Sequence, residues 1–200
     1  MKNILKNPRT ASIFKMIRPW ITLVALILVL RYTGILAGIS VITNTAMMRT
    51  GVLDADSEPL ELTKDFDYNF SITDLENKKV DFNQFKGKTV FLNLWATWCG
   101  PCRVEMPSIQ KLYNEVNHDD IVFVMLSLDR AEDKEKVVKF VNDKQHTFPV
   151  YVPAGYLPEQ LNVSSIPTTF IISPEGKIVS KKVGTANYDT EEFKTFLEKL

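Results

Sequence analysis

Residues 90–113 read VFLNLWATWCGPCRVEMPSIQKLY. From Thr89 to Trp95 the chain is apolar apart from Thr89 and Asn93, the pattern of a central strand covered on both faces. From about residue 100 to 116 the spacing changes. Met106, Ile109, Leu112, Tyr113 and Val116 fall on one face of a helix, with Pro107 expected to kink it. Between strand and helix lie Trp98, Cys99, Gly100, Pro101 and Cys102, so both cysteines fall in the first turn. The unpaired N–H groups and the dipole at a helix N-terminus stabilise a thiolate, which makes Cys99 the expected nucleophile. Cys102, one turn on, is placed to attack the resulting mixed disulfide and release the partner. Pro101 is tolerated because no helical hydrogen bond is required of its nitrogen there.

Outward from this stretch, the periodicities keep alternating. Residues 121–128 (IVFVMLSL) read as a second buried strand. Residues 133–144 (DKEKVVKFVNDK) form an amphipathic helix with Val137, Val138, Phe140 and Val141 inward and a solvated charged face. Residues 68–72 and 79–82 pair as a hairpin around DLENK, and 168–173 and 178–183 pair around the turn PEGK. A closing helix over 190–200 follows Asp189, with Glu192 three residues later in a capping-box-like start. This order predicts an α/β domain with helices on both faces of one sheet.

The chain has 200 residues, 45% hydrophobic and 24% charged, which fits one compact domain plus a remainder and excludes a wholly disordered or multi-span chain. Its net charge of zero hides a segregation. Residues 1–53 hold seven basic residues and no acid, leaving 17 basic and 24 acidic residues in 54–200, a balance of −7. So acidic a domain, without a basic stripe, is a poor partner for nucleic acid. Two cysteines cannot make a disulfide scaffold, so their three-residue spacing is read as chemistry.

Residues 20–42 (WITLVALILVLRYTGILAGISVI) contain 13 Leu, Ile or Val and a single charge, Arg31. At about 1.5 Å per residue a helix of this length crosses a hydrocarbon core of about 30 Å. Those aliphatic residues, at about −0.3 to −0.6 kcal/mol each, outweigh one central Arg at about +2.5 to +3.5 kcal/mol. Five basic residues precede the span and Arg49 follows it, so the N-terminus is expected in the cytoplasm and the acidic domain across the membrane. A cleaved signal peptide is the rival reading, but 34–46 offers a poor small-x-small site and no cysteine for lipidation. The expected organisation is a basic terminus (1–19), a signal-anchor helix (20–42), a polar linker (43–65) and an extracytoplasmic domain (66–200).

WCGPC after an apolar strand resembles the active site of thioredoxin, and 90–113 is more similar to the membrane-anchored TlpA/ResA branch. A second match lies at 164–178, SSIPTTFIISPEGKI, which resembles the cis-proline loop and following hairpin of that family. The resemblance covers about residues 66–200. It implies a thioredoxin fold: a central mixed sheet flanked by helices, with an N-terminal β-hairpin extension, preceded by one transmembrane helix.

By the same resemblance, Cys99 attacks, Cys102 resolves, and Pro167 is the cis-proline packed against the sulfurs. Ile166 lines the groove for an extended substrate segment, Trp98 forms part of the flat contact surface, and Gly100, Pro101 and Pro167 are the other substrate-binding residues. Glu105, at i+3 from Cys102, corresponds to the glutamate of the ResA-like branch and is a candidate proton handler. Thioredoxin usually carries a buried Asp where this chain has Asn93, a departure that puts the usual proton handler in doubt. The opposing reading of Glu105 is a solvated helix residue beside Arg103. The family implies a reductase of disulfides in exported proteins such as apocytochrome c, supplied by a membrane thiol donor, with no cofactor; an oxidant is the alternative direction.

Three rivals are weaker. A zinc or copper site lacks further soft ligands beyond His118 and His146, each in a turn-like context. A peroxiredoxin would need Pro at 92 and Thr at 96, where the chain has Leu92 and Ala96. A non-catalytic binding module has no reason to keep both cysteines.

Overall fold

The computed structural model describes residues 18–26, 29, 53–56 and 64–200, in two units, Met1–Ile42 and Thr43–Leu200. In the first unit, residues 18–26 are helical and exposed. No helix among the described residues is long and apolar enough to cross a membrane. Most of the expected terminus, span and linker lies outside the described residues.

The second unit is built on one mixed sheet. Its strands are β1 (Lys64–Asp65), β2 (Ser71–Asp74), β3 (Lys79–Asp81), β4 (Thr89–Trp95), β5 (Ile121–Ser127), β6 (Val150–Pro153), β7 (Thr168–Ile172) and β8 (Lys177–Val183). Their order is β1-β8-β7-β4-β5-β6-β2-β3. β4 pairs in parallel with β5 and antiparallel with β7, which puts Asn93 directly opposite Thr169. The helices are α1 (Gly100–Glu115), α2 (Lys134–Asp143) and α3 (Glu191–Glu198).

β4 is buried at all seven positions, and its alternation sorts the core. Phe91 and Trp95 face Met106, Ile109 and Leu112 of α1, Val137 and Val141 of α2, and Phe193 and Leu197 of α3. Val90, Leu92 and Leu94 face the opposite way, onto Phe66, Tyr68, Phe70, Phe82 and Phe85. The two faces are therefore covered unequally. All three α-helices bury residues on one face, whereas two short 3₁₀ turns, Phe82–Phe85 and Glu159–Leu161, lie on the other. Aromatic rings do the filling there: Phe82 stacks on Phe70 at 4.4 Å between centroids and meets Phe85 edge-on at 5.1 Å.

Two local expectations change. α3 is capped by Thr190, whose hydroxyl accepts from the Phe193 N–H, and not by Asp189, whose carboxylate is held 2.6 Å from Lys111 Nζ. Part of the expected linker belongs to the domain: β1 pairs with β8, Asp54 bridges to Asn187, and Ala55 is buried.

Candidate active site

The parallel pair β4–β5 ends at one edge of the sheet, and the chain leaves β4 through Ala96, Thr97 and Trp98 before α1 begins. Thr97 is held there from both ends. Its N–H donates to Asp129 Oδ2 at 2.8 Å and its hydroxyl to Oδ1 at 2.6 Å, while Ser127 donates to the same carboxylate at 2.7 Å. The loop just before the cysteines is thereby tied to the end of β5. Asp129 was not singled out by the sequence reading. Its signal is an acid at the close of an otherwise apolar strand run.

Cys99 is the N-cap of α1, and the Cys102 N–H donates to its Sγ at 3.1 Å. This is the arrangement that stabilises a thiolate on Cys99 once the pair is reduced. The two cysteines are joined as a disulfide. Both are buried, and Cys99 Sγ lies 3.8 Å from the Ile166 carbonyl oxygen. The Ile166–Pro167 peptide is cis. Trp98, by contrast, is 71% exposed beside the disulfide. A Cβ at Gly100 would meet nothing within 4 Å, so there is open space over the first turn of α1. Pro101 is exposed, and its carbonyl accepts from the Thr185 hydroxyl at 3.3 Å. The expected residues Trp98, Cys99, Gly100, Pro101, Cys102, Ile166 and Pro167 thus converge on one edge from two loops far apart in sequence.

Glu105 lies behind them. It has no exposed surface, so the solvated reading is overturned: its place on the stripe shared by Cys102, Ile109 and Leu112 carries it inward. Asn93 Nδ2 donates to its Oε1 at 2.8 Å and the Ala186 N–H to its Oε2 at 3.2 Å. Burial pushes its carboxyl up to about 8, against these two hydrogen bonds, which pull it down. Such a group exchanges protons near neutral pH. Asn93 also donates to Thr169 Oγ1 at 2.9 Å, and the Tyr188 hydroxyl donates to the same oxygen at 2.6 Å. The sequence reading did not single out Thr169 or Tyr188.

Neither histidine joins the site: His118 packs on the Tyr113 ring at 4.3 Å and His146 stacks on Phe148 at 4.7 Å. Among the described residues no three His, Cys, Asp or Glu gather in a way that could hold a metal ion. Leu92 and Ala96, where a peroxiredoxin carries Pro and Thr, are packed in the core.

Comparison with known proteins agrees with this geometry. The model of the AhpC/TSA family matches residues 64–181. The thiol-disulfide oxidoreductase ResA of Bacillus cereus is 36% identical over 147 residues, 73% of this chain and 82% of that protein. The thioredoxin-like protein YneN of Bacillus subtilis is 32% identical over 184 residues, 92% of this chain and all of that protein. Among solved structures, StoA of Bacillus subtilis aligns with a TM-score of 0.53 at 26% identity, covering 69% of this chain and 98% of that one. A protein described as a putative DsbE-type thiol:disulfide interchange protein from Chlorobium tepidum aligns with a TM-score of 0.57 at 26% identity, covering 68% and 96%. The chain belongs to the AhpC/TSA family and, within it, to the ResA-type thiol–disulfide oxidoreductases.

Proposed function

We propose that this oxidoreductase works as a reductase of disulfides in exported proteins, apocytochrome c among them, with its domain held outside the cytoplasm by residues 20–42. The observation that carries the reading is the Cys99–Cys102 disulfide at the N-terminus of α1, facing the Ile166 carbonyl under an exposed Trp98.

In the reduced protein the Cys99 thiolate attacks one sulfur of the substrate disulfide, held extended along the Ile166–Pro167 loop. A Cys99–substrate bond forms, and the other substrate sulfur leaves as a thiolate. The Cys102 thiol then gives its proton to the Glu105 carboxylate and attacks Cys99 Sγ, expelling the second substrate thiolate. Two electrons pass to the substrate and the Cys99–Cys102 disulfide is left; the first substrate thiolate takes its proton from solvent, and the second receives the Cys102 proton by way of Glu105. A membrane thiol donor restores the dithiol.

The direction is supported by the Gly-Pro pair between the cysteines, which thioredoxin shares at about −270 mV, against about −120 mV for the DsbA type. Equilibrium titration of the full chain against glutathione and dithiothreitol tests it. A potential near the thioredoxin value is expected. One near −120 mV would recast the protein as an oxidant that makes disulfides.

A further inference from the structure

Glu105 has two neighbours on its carboxylate oxygens, and both are N–H donors: Asn93 Nδ2 on Oε1 and the Ala186 amide on Oε2. That set suits a carboxylate. A protonated Glu105 needs an acceptor for its O–H, and neither donor is one. Asn93 supplies the missing group on its own side chain. Its Oδ1 is buried without a hydrogen-bond partner, and a half-turn of the amide would bring Oδ1 to Glu105 and Thr169. Thr169 favours the present orientation, in which its oxygen accepts from Asn93 Nδ2 and from Tyr188, because rotation keeps the contact only if the Thr169 hydroxyl proton turns to Asn93 Oδ1. The register makes this contact: Asn93 and Thr169 are direct partners across β4 and β7.

We propose that Asn93, Thr169 and Tyr188 form a buried relay in which the Asn93 amide rotates as Glu105 gains or loses its proton, with Thr169 and Tyr188 as positioning residues that bias the amide toward the carboxylate form. No proton passes to Asn93, Thr169 or Tyr188; the relay sets the pH at which Glu105 is protonated. Its use in exchange rests on the proton step under the proposed function.

The groups facing Glu105 are few. On α1 they are Cys102, one turn before it, and Ser108, which donates to the Glu105 backbone carbonyl at 2.7 Å. From β4 and β7 come Asn93 and Thr169; from the loop before α3 come Ala186 and Tyr188. The Tyr188 phenol is held well above its ordinary range by burial and then by Glu105, so it stays a neutral donor. Asp56 acts on Tyr188 from farther off and is paired to Lys182 at 3.1 Å.

The test is an infrared pH titration of the full oxidised chain, following the protonated-carboxyl band that Glu105→Gln removes. Thr169→Val takes away the acceptor that holds Asn93 Nδ2 in place, so the midpoint should rise by about one pH unit. Thr169→Ser, which keeps the hydroxyl, should restore it. Tyr188→Phe keeps the ring and should raise the midpoint by less. An unmoved midpoint in Thr169→Val would overturn the relay. So would a Thr169→Ser shift as large as that of Thr169→Val, because lost packing and not the hydroxyl would then be responsible. The proton step has its own readout: if Glu105→Gln leaves the pH profile of Cys99 alkylation unchanged, Glu105 is out of the exchange whatever the infrared result.

Discussion

Two buried acids flank the reacting loop and are treated in opposite ways. Asp129, at the end of β5, accepts three hydrogen bonds of 2.6–2.8 Å, two from Thr97 and one from Ser127. Glu105, inside α1, accepts two, and the second is long at 3.2 Å. Asp129 is a clamp that ties Thr97, just before Cys99, to the end of β5; Glu105, fully enclosed, has its carboxyl pushed up by burial against its two hydrogen bonds.

The burial of Glu105 shows in stability against pH. Glu105 is protonated in the folded chain up to about 8, whereas in the unfolded chain it ionises in the usual carboxylate range. Its contribution is therefore fully present at low pH, falls as pH rises from the unfolded to the folded value, and is level above that. The whole loss is about 5 kcal/mol. Urea unfolding of the oxidised chain should show this decline between about pH 4.5 and about pH 8, and Glu105→Gln should flatten it. An equal slope in the variant would assign the decline elsewhere.

The clamp gives the smaller effect. Asp129→Ala leaves the Thr97 N–H and the Thr97 and Ser127 hydroxyls without their acceptor, at a cost of about 2–3 kcal/mol. The same unfolding measurement checks it, and a change below about 0.5 kcal/mol would mean that Asp129 does not hold the loop.

Much of this arrangement is legible in the chain. The apolar runs over β4 and β5, the turn before β8 and the Cys99–Cys102 start of α1 are local signals, and the structure follows them within a residue or two. β1 and β6 are not legible that way. β1 is two exposed residues whose partner β8 lies over a hundred positions on. β6 has a single buried residue in four and ends in proline. The relay around Glu105 is unreadable for a further reason: Asn93, Thr169 and Tyr188 meet only through the β4–β7 register and the return of the chain before α3. The inward turn of Glu105 itself had a signal, since it shares the helical stripe of Cys102 and Ile109, but a charged residue beside Arg103 reads as solvated.

The most direct test of the account is to trap the exchange. Reduced full chain carrying Cys102→Ser, mixed with a disulfide-bonded apocytochrome c, should accumulate a mixed disulfide through Cys99, and Cys99→Ser should give none. An adduct that forms equally well in Cys99→Ser, through Cys102, would contradict the assignment of Cys99 as the attacking sulfur.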